Sequence, residues 1–395
     1  MTLKTYLTRS PKKAPDLPTE LAVSPQLSLP LKSVTSTFAL LAVRGAGKSN
    51  AARVMAEEMF RNGLRFVVID PVGSWPGLRA GEHGIAIPIL GGEHGDFPLT
   101  KTMGVAVADA IVDQKLTGII DLSSFEDEEE KHQFLQDFAK RLYLRNRDPL
   151  HLFLEEADDY IPQAPDKMQK VTLRRFENIV RRGRSRGLGI TLITQRSAVI
   201  NKNVLTQVET LFVLRTTGPH DLEAIRGWTK MHQVGTSMLA TLAGLKDGEA
   251  WVWSPHFLTR PATRFRFRRC DTYDSGATPT GIPLPWPPLV PVDLRGLSEV
   301  LTEALAGAQT DDPKVLHTRI RALEKQLGSG AQAPAKGKAV QDALSPDVRQ
   351  DLVTILGELG LLAGRMEETA EQARRMLDSW GTVSKKGMKP KGKKS

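Results

Sequence analysis

Cysteine is almost missing from this 395-residue chain. Its single Cys270 excludes an internal disulfide, argues for a reducing compartment such as the cytoplasm, and leaves no cysteine-ligated metal site. Long apolar runs are also lacking. No stretch reaches the roughly 18 to 20 residues that span a bilayer, and the opening MTLKTYLTRSPKK has no apolar core of a secretory leader. A membrane-anchored protein is therefore not expected. His83, His94 and His132 lack the spacing of metal ligands, so no zinc site is expected.

Charge is unevenly spread. The net charge of +9 comes from the ends: Gly381–Ser395 holds six lysines and no acid, and residues 1–36 hold five basic residues against two acids. The body between them is close to neutral. Basic tails of this kind either touch polyanions or serve solubility.

With 40% hydrophobic and 25% charged residues, the chain is long enough to bury a full-sized core. Residues 1–36 read as an extended lead-in with one or two short strands, around Leu21–Val23 and Leu27–Leu31. From Thr37 to Arg269 the short runs FALLAV, RFVVID, GIIDLS, LHLFLEE, GITLITQ, TLFVLRT and AWVWS recur. Several lack polar alternation, as expected of strands covered on both faces. Helical stretches separate many of them, including Ser49–Arg61 and Ser124–Leu144, the latter opening with a serine cap and the acids Glu126–Glu130. This pattern predicts one α/β domain over residues 37–269 with a mainly parallel sheet.

Residues 270–312, rich in Pro and Gly, read as a linker. Residues 313–380 form a helical C-terminal appendage, in which Leu352, Ile355, Leu356, Leu359, Leu362 and Met366 recur at helical spacing. Residues 381–395 form the basic tail.

Four features carry chemistry. The first strand runs into Ala42-Val43-Arg44-Gly45-Ala46-Gly47-Lys48-Ser49 and then a helix, the context of a phosphate-binding loop whose first glycine is replaced by Ala42. Here Arg44, Gly45, Ala46, Gly47, Lys48, Ser49 and Asn50 are the nucleotide-binding candidates. Backbone N–H groups would converge on phosphate, Lys48 would neutralise it, and the Ser49 hydroxyl would hold Mg2+. Second, Leu152–Leu154 ends in Glu155 and Glu156. One carboxylate holding the metal (Glu155) and the next orienting water (Glu156) is the arrangement hydrolysis needs; the plain alternative is an acidic loop that runs on through Asp158 and Asp159.

Third, the strand ending in Thr194 presents Gln195 as a γ-phosphate sensor, or else as an amide capping a turn. Fourth, Arg174, Arg175, Arg181, Arg182, Arg184 and Arg186 crowd one helix end. They suit transition-state charge in a neighbouring subunit, nucleic-acid phosphates, or the helix C-terminal dipole. Arg215, after LFVL, is a further sensor or inter-subunit candidate. Asp70-Pro71 with Trp75 is either a turn or lies beside nucleotide or pore. The alternation of Arg264, Arg266 and Arg268 with Phe265 and Phe267, flanked by Arg260 and Arg269, fits a half-buried terminal strand or a DNA-contacting edge.

The order of these motifs resembles the HerA/FtsK superfamily of P-loop motors, and most of all the HerA type. The residues that carry the likeness are RGAGKSN (Arg44–Asn50), VVIDPVGSWPGLR (Val67–Arg79), ILGGEHGDFPL (Ile89–Leu99), LFLEEADDYIP (Leu152–Pro162), RRGRSRGLGITLITQR (Arg181–Arg196) and NVLTQVETLFVLRTTGPHD (Asn203–Asp221). The resemblance covers about residues 37–255. It implies a RecA-like core, ATP and Mg2+ at subunit boundaries, a homo-oligomeric ring of six, and double-stranded DNA through the pore. It also implies an arginine supplied in trans, with Arg181, Arg182 and Arg184 as candidates. The lead-in is shorter than the β-barrel that precedes the HerA motor.

The expected function is a Mg2+-dependent ATPase that translocates along or remodels DNA. The alternatives are an ATP-gated scaffold recruiting an effector nuclease and a protein-translocating or assembly ATPase.

Overall fold

The computed structural model describes residues 20–231, 237–258, 262–276 and 286–311. The expected appendage over 313–380 and the tail over 381–395 lie outside the described residues.

In chain order the strands are β1 (Glu20–Ser24), β2 (Leu27–Pro30), β3 (Thr37–Leu41), β4 (Phe66–Asp70), β5 (Ile89–Leu90), β6 (Gly118–Asp121), β7 (Leu150–Leu154), β8 (Leu188–Thr194), β9 (Thr210–Val213), β10 (Glu249–Trp253) and β11 (Thr263–Arg266). The helices are α1 (Lys48–Arg61), α2 (Gly104–Asp113), α3 (Glu128–Arg145), α4 (Ala157–Tyr160), α5 (Gln169–Arg182), α6 (Lys202–Leu205), α7 (Pro219–Met231), α8 (Ser237–Thr241) and α9 (Arg295–Asp311).

Nine strands form one sheet in the order β11-β10-β9-β3-β8-β7-β4-β6-β5. Pairing is parallel from β9 to β5, while β10 and β11 add antiparallel at one edge. The apolar runs form these strands because both faces are covered, so neither face needs polar alternation. Successive residues serve opposite sides: Phe38 and Leu40 pack with α1 and the β1–β2 hairpin, whereas Ala39 and Leu41 pack with α2, α3 and α5. The sequence stretches around Leu21 and Leu27 pair as that antiparallel hairpin, whose Leu21, Val23, Leu27 and Leu29 are buried.

Register sets the position of the site. Leu41 pairs with both Thr194 and Val213, Leu154 pairs with Leu192, and Ile69 pairs with Leu154. The carboxyl ends of β3, β8, β7 and β4 are therefore level, and the segments leaving them share one crevice, where ligands bind open α/β sheets.

Two local expectations change, and the terminal strand is found half-buried. Helix α3 begins at Glu128, capped by the Asp127 side chain, which accepts from Glu130 N at 2.9 Å; Ser124 instead accepts from Gly92 N at 3.3 Å. Asp127, directly before Glu128, satisfies the orphan Glu130 N–H that Ser124, further out, does not reach. The stretch read as a linker over 270–312 contains α9, entered through Asp293, which accepts from Arg295 N. Leu297 and Leu301, one turn apart, are buried against the body. Strand β11 has Phe265 inside, and Arg264, Arg266 and Arg268 bond Glu249, the Asp247 carbonyl, and Glu57 with Glu58. Arg260 lies outside the described residues. Among the described residues no helix is long and apolar enough to cross a membrane.

Candidate active site

The turn from Ala42 to Gly47 joins β3 to α1. It is tied to its neighbours by Ala42 N to Thr194 O (3.3 Å) and Val43 N to Arg215 O (3.0 Å). Gly45 and Gly47 have φ of 77° and 92°, conformations that favour glycine. A Cβ on Gly47 would stand 2.9 Å from Gly248 N, whose N–H donates to Ala46 O. Ala42 has no positive φ, so alanine in place of the first glycine is free of strain. Helix α1 opens at Lys48, leaving the first N–H groups without intrahelical acceptors.

Lys48 and Glu155 are only 6% and 3% exposed. Lys48 Nζ lies 2.9 Å from Glu155 Oε1 and 3.6 Å from Glu156 Oε1. Both contacts are ion pairs without hydrogen-bond geometry. The ammonium is thus offset in charge yet free to donate to an incoming oxygen. Glu155 Oε2 accepts from Trp75 Nε1 at 3.3 Å, and the Trp75 backbone N–H donates to Asp70 Oδ2 at 2.8 Å. Asp70 also accepts from Val72 and Gly73 N–H. Burial, with Asp121 adding repulsion, pushes the Asp70 carboxyl up to about 7. The Asp70-Pro71 turn therefore holds the tryptophan that orients Glu155.

Glu156 adopts φ 46° and ψ 50°, a left-handed conformation costing a non-glycine residue on the order of 1 to 3 kcal/mol. Its Oε1 accepts from Gln195 Nε2 at 2.6 Å. The neighbouring Asp158 is not part of a solvated acidic loop. It is buried and accepts from Thr194 Oγ1 at 2.5 Å, joining the tips of β7 and β8. Half-burial next to Asp158, Glu128 and Glu156 pushes Asp159 up to about 6.

A cavity of about 470 Å3 gathers Arg44, Gly45, Gly47, Lys48, Ser49, Asn50, Glu155, Glu156 and Gln195. Ala46 lies beneath it, fully buried. The Asn50 side chain is turned away to a later segment, donating to Arg268 O and accepting from Cys270 N. Arg215 bonds within its own chain to Asp247 (2.8 Å) and to Gly45 O (3.4 Å), bracing the loop.

The arginine cluster is not brought to this cavity. Arg181 pairs with Glu177, Arg184 pairs with Glu209, and Arg182 is exposed with no side-chain partner among the described residues. They precede the amino end of β8, whereas Gln195 follows its carboxyl end. Seven residues of strand at about 3.3 Å each separate the two by roughly 20 Å.

Sequence reasoning missed Val72, Ser74, Asp274 and Gly276 in the cavity wall, and Arg53 behind them. An arginine set among Ala51, Ala52, Val54, Met55 and Ala56 is the signal that could have pointed there; Glu57 and Glu58 are buried on the same helix.

Residues 22–186 match the family model described as helicase HerA, central domain. The matched stretch, less than half of the chain, is similar to the core of HerA-type P-loop ATPases. Over 104 residues the chain is 29% identical to the DNA double-strand break repair helicase HerA of Pyrococcus furiosus, covering 26% of this chain and 18% of that one. The match thus spans less than a fifth of that relative. The chain is also similar to the bacterial conjugative coupling protein TrwBΔN70 (11% identity, 66% of this chain, 91% of that chain, TM-score 0.46). A further likeness is to the genome packaging NTPase B204 of Sulfolobus turreted icosahedral virus 2 with ATP-γS (12% identity, 60% and 98%, TM-score 0.41).

Proposed function

We propose that this chain binds ATP where β3 meets α1, hydrolyses it with Mg2+, and couples turnover to movement along, or remodelling of, double-stranded DNA as a six-membered ring. The observation that carries the reading is the meeting of Lys48, Glu155, Glu156 and Gln195, from three strand ends, around one cavity.

Several features suit a triphosphate. The glycine-lined turn leaves backbone N–H groups at a helix start, and the Lys48 ammonium is ion-paired but not hydrogen-bonded. In the chain alone the two carboxylates offset that ammonium; phosphate oxygens then compete for it. The donor set also fits magnesium, because the Ser49 hydroxyl and the Glu155 carboxylate are hard oxygens lining the cavity. Bound there, the ion neutralises charge on the terminal phosphates.

Glu156 accepts the proton of the attacking water as its oxygen joins the γ-phosphorus and the bond to the β–γ bridging oxygen breaks. Gln195, already bonded to Glu156, senses the γ-phosphate and passes its loss to β8. The arginines lie some 20 Å from their own site, so a neighbouring subunit supplies one. Arg182 is our choice, since Arg181 and Arg184 are held by acids of their own chain.

The test is the rate of phosphate release by the purified full chain with and without magnesium and duplex DNA. Magnesium-dependent turnover accelerated by DNA is expected. A folded, assembled protein with no turnover in any condition refutes hydrolysis, and turnover indifferent to DNA refutes the motor.

A further inference from the structure

One wall of the cavity comes from a segment that follows the last strand. Residues 268–276 are fastened along α1: Asn50 holds the backbone at Arg268 and Cys270, and Glu57 Oε1 accepts from Asp271 N (2.8 Å), Thr272 N (2.9 Å) and Thr272 Oγ1 (2.8 Å). Arg53, fully buried, completes the fastening. Its guanidinium donates to Asp274 Oδ1, to Ser74 O (2.6 Å) and to Ser275 Oγ (3.3 Å). Ser275 Oγ in turn donates to Ser74 O (2.6 Å) and accepts from Gly77 N (3.0 Å). Asp274 is therefore held in place at the cavity wall while its side chain stays 53% exposed.

Glu155 and Glu156 are offset by Lys48, whereas Asp274 pairs with Arg53 instead, and a carboxylate without a cation at the phosphates is an odd wall for a polyanion site. Ionised, it accepts hydrogen bonds and donates none, and it repels phosphate. The phosphates belong at Lys48, so Asp274 faces the uncharged end of the ligand. Arg53, which aims it, sits five residues further along α1, a rise of about 7.5 Å. At the uncharged end of a nucleotide, the sugar next to the phosphates offers hydroxyl donors. Oδ1 is engaged by Arg53, leaving Oδ2 for them.

We propose that Asp274, positioned by Arg53, accepts hydrogen bonds from the ribose hydroxyls of the bound nucleotide and sets a preference for ribonucleotides. The assignment rests on the ATP-site reading above. Binding of ATP and of 2′,3′-dideoxy-ATP is measured by calorimetry on the full chain with magnesium, in a Glu156→Gln background that spares the nucleotide. The parent is expected to hold ATP about tenfold more tightly, the scale of one charge-assisted hydrogen bond. Asp274→Ala then lowers ATP affinity to the dideoxy level and leaves dideoxy affinity unchanged. Asp274→Asn, which keeps its size and an acceptor for Arg53, also narrows the preference.

Equal weakening of both ligands by Asp274→Ala, as a purely structural wall would give, overturns the proposal. So does a parent that binds both alike, or a preference that survives the substitution. A folded parent that binds neither ligand overturns the ATP site itself and this assignment with it.

Discussion

Lys48 Nζ stands 2.9 Å from Glu155 Oε1 although the strands that lead to them, β3 and β7, are separated by β8 in the sheet. The contact exists because the parallel register brings the ends of all three strands level. It pairs two buried charges that would each be costly alone, and phosphate can replace the carboxylate as partner of the ammonium.

Glu156, the residue we propose to activate water, has a left-handed backbone. Glu156→Gln should retain ATP binding and slow hydrolysis by about 100-fold or more, within the range for loss of a general base. Glu156→Gly should also stop turnover but relieve the backbone. A gain of about 1 kcal/mol would raise the melting temperature by roughly 2 to 4 °C. Calorimetry of the three proteins checks this, and a lower melting temperature for the glycine variant would count against strain.

Asp70 predicts a pH dependence of stability. Its folded carboxyl is raised to about 7 by burial, by Asp121 and by Glu155, so between about pH 4 and 7 the native state binds a proton that the unfolded chain has lost. Its contribution is greatest below the ordinary carboxylate range and is lost as pH rises through about 7. His151, buried and lowered to about 4, works in the opposite direction. Denaturant midpoints should therefore show wild type losing stability relative to Asp70→Asn as pH rises from between 4 and 5 through about 7. A difference independent of pH would show that Asp70 does not titrate there.

Arg182 provides a test of assembly. Arg182→Ala should bind ATP normally and hydrolyse it at least tenfold more slowly, with smaller losses for Arg181→Ala and Arg184→Ala. Lys48→Ala should weaken ATP binding itself. Mixing Arg182→Ala with Lys48→Ala subunits should recover part of the activity, because each supplies what the other lacks at a shared boundary. Mixtures no more active than the sum of their parts would place the arginine outside the reaction.

Gly47 separates loop shape from loop charge. Gly47→Ala forces a Cβ to within 2.9 Å of the Gly248 backbone at a φ of 92°. It should cut ATP affinity by about tenfold or more while leaving the Lys48 charge intact. Binding equal to wild type would mean that the loop adapts without cost.

Much of this arrangement was legible before any coordinates. Unalternated apolar runs announced the strands from β3 to β10, since a strand covered on both faces has no reason to alternate. Small residues before Lys48, paired acids after Leu154 and a polar residue after Thr194 each marked a strand end with something to offer. Two-residue β5 carried too little pattern to read. Helix α9 was hidden behind the prolines that precede it, because its signal, Leu297 and Leu301 one turn apart, depends on a surface to cover.

What the amino-acid order alone determined is the set of chemical groups and the strand ends that bear them, because periodicity and loop composition are local properties. Which of those groups meet was decided by the sheet order β3-β8-β7-β4 and its register, which no local pattern encodes. The same holds for Arg53 and Asp274, more than two hundred positions apart. Only packing of the 268–276 segment along α1 gives a buried guanidinium its carboxylate and gives the cavity its remaining wall.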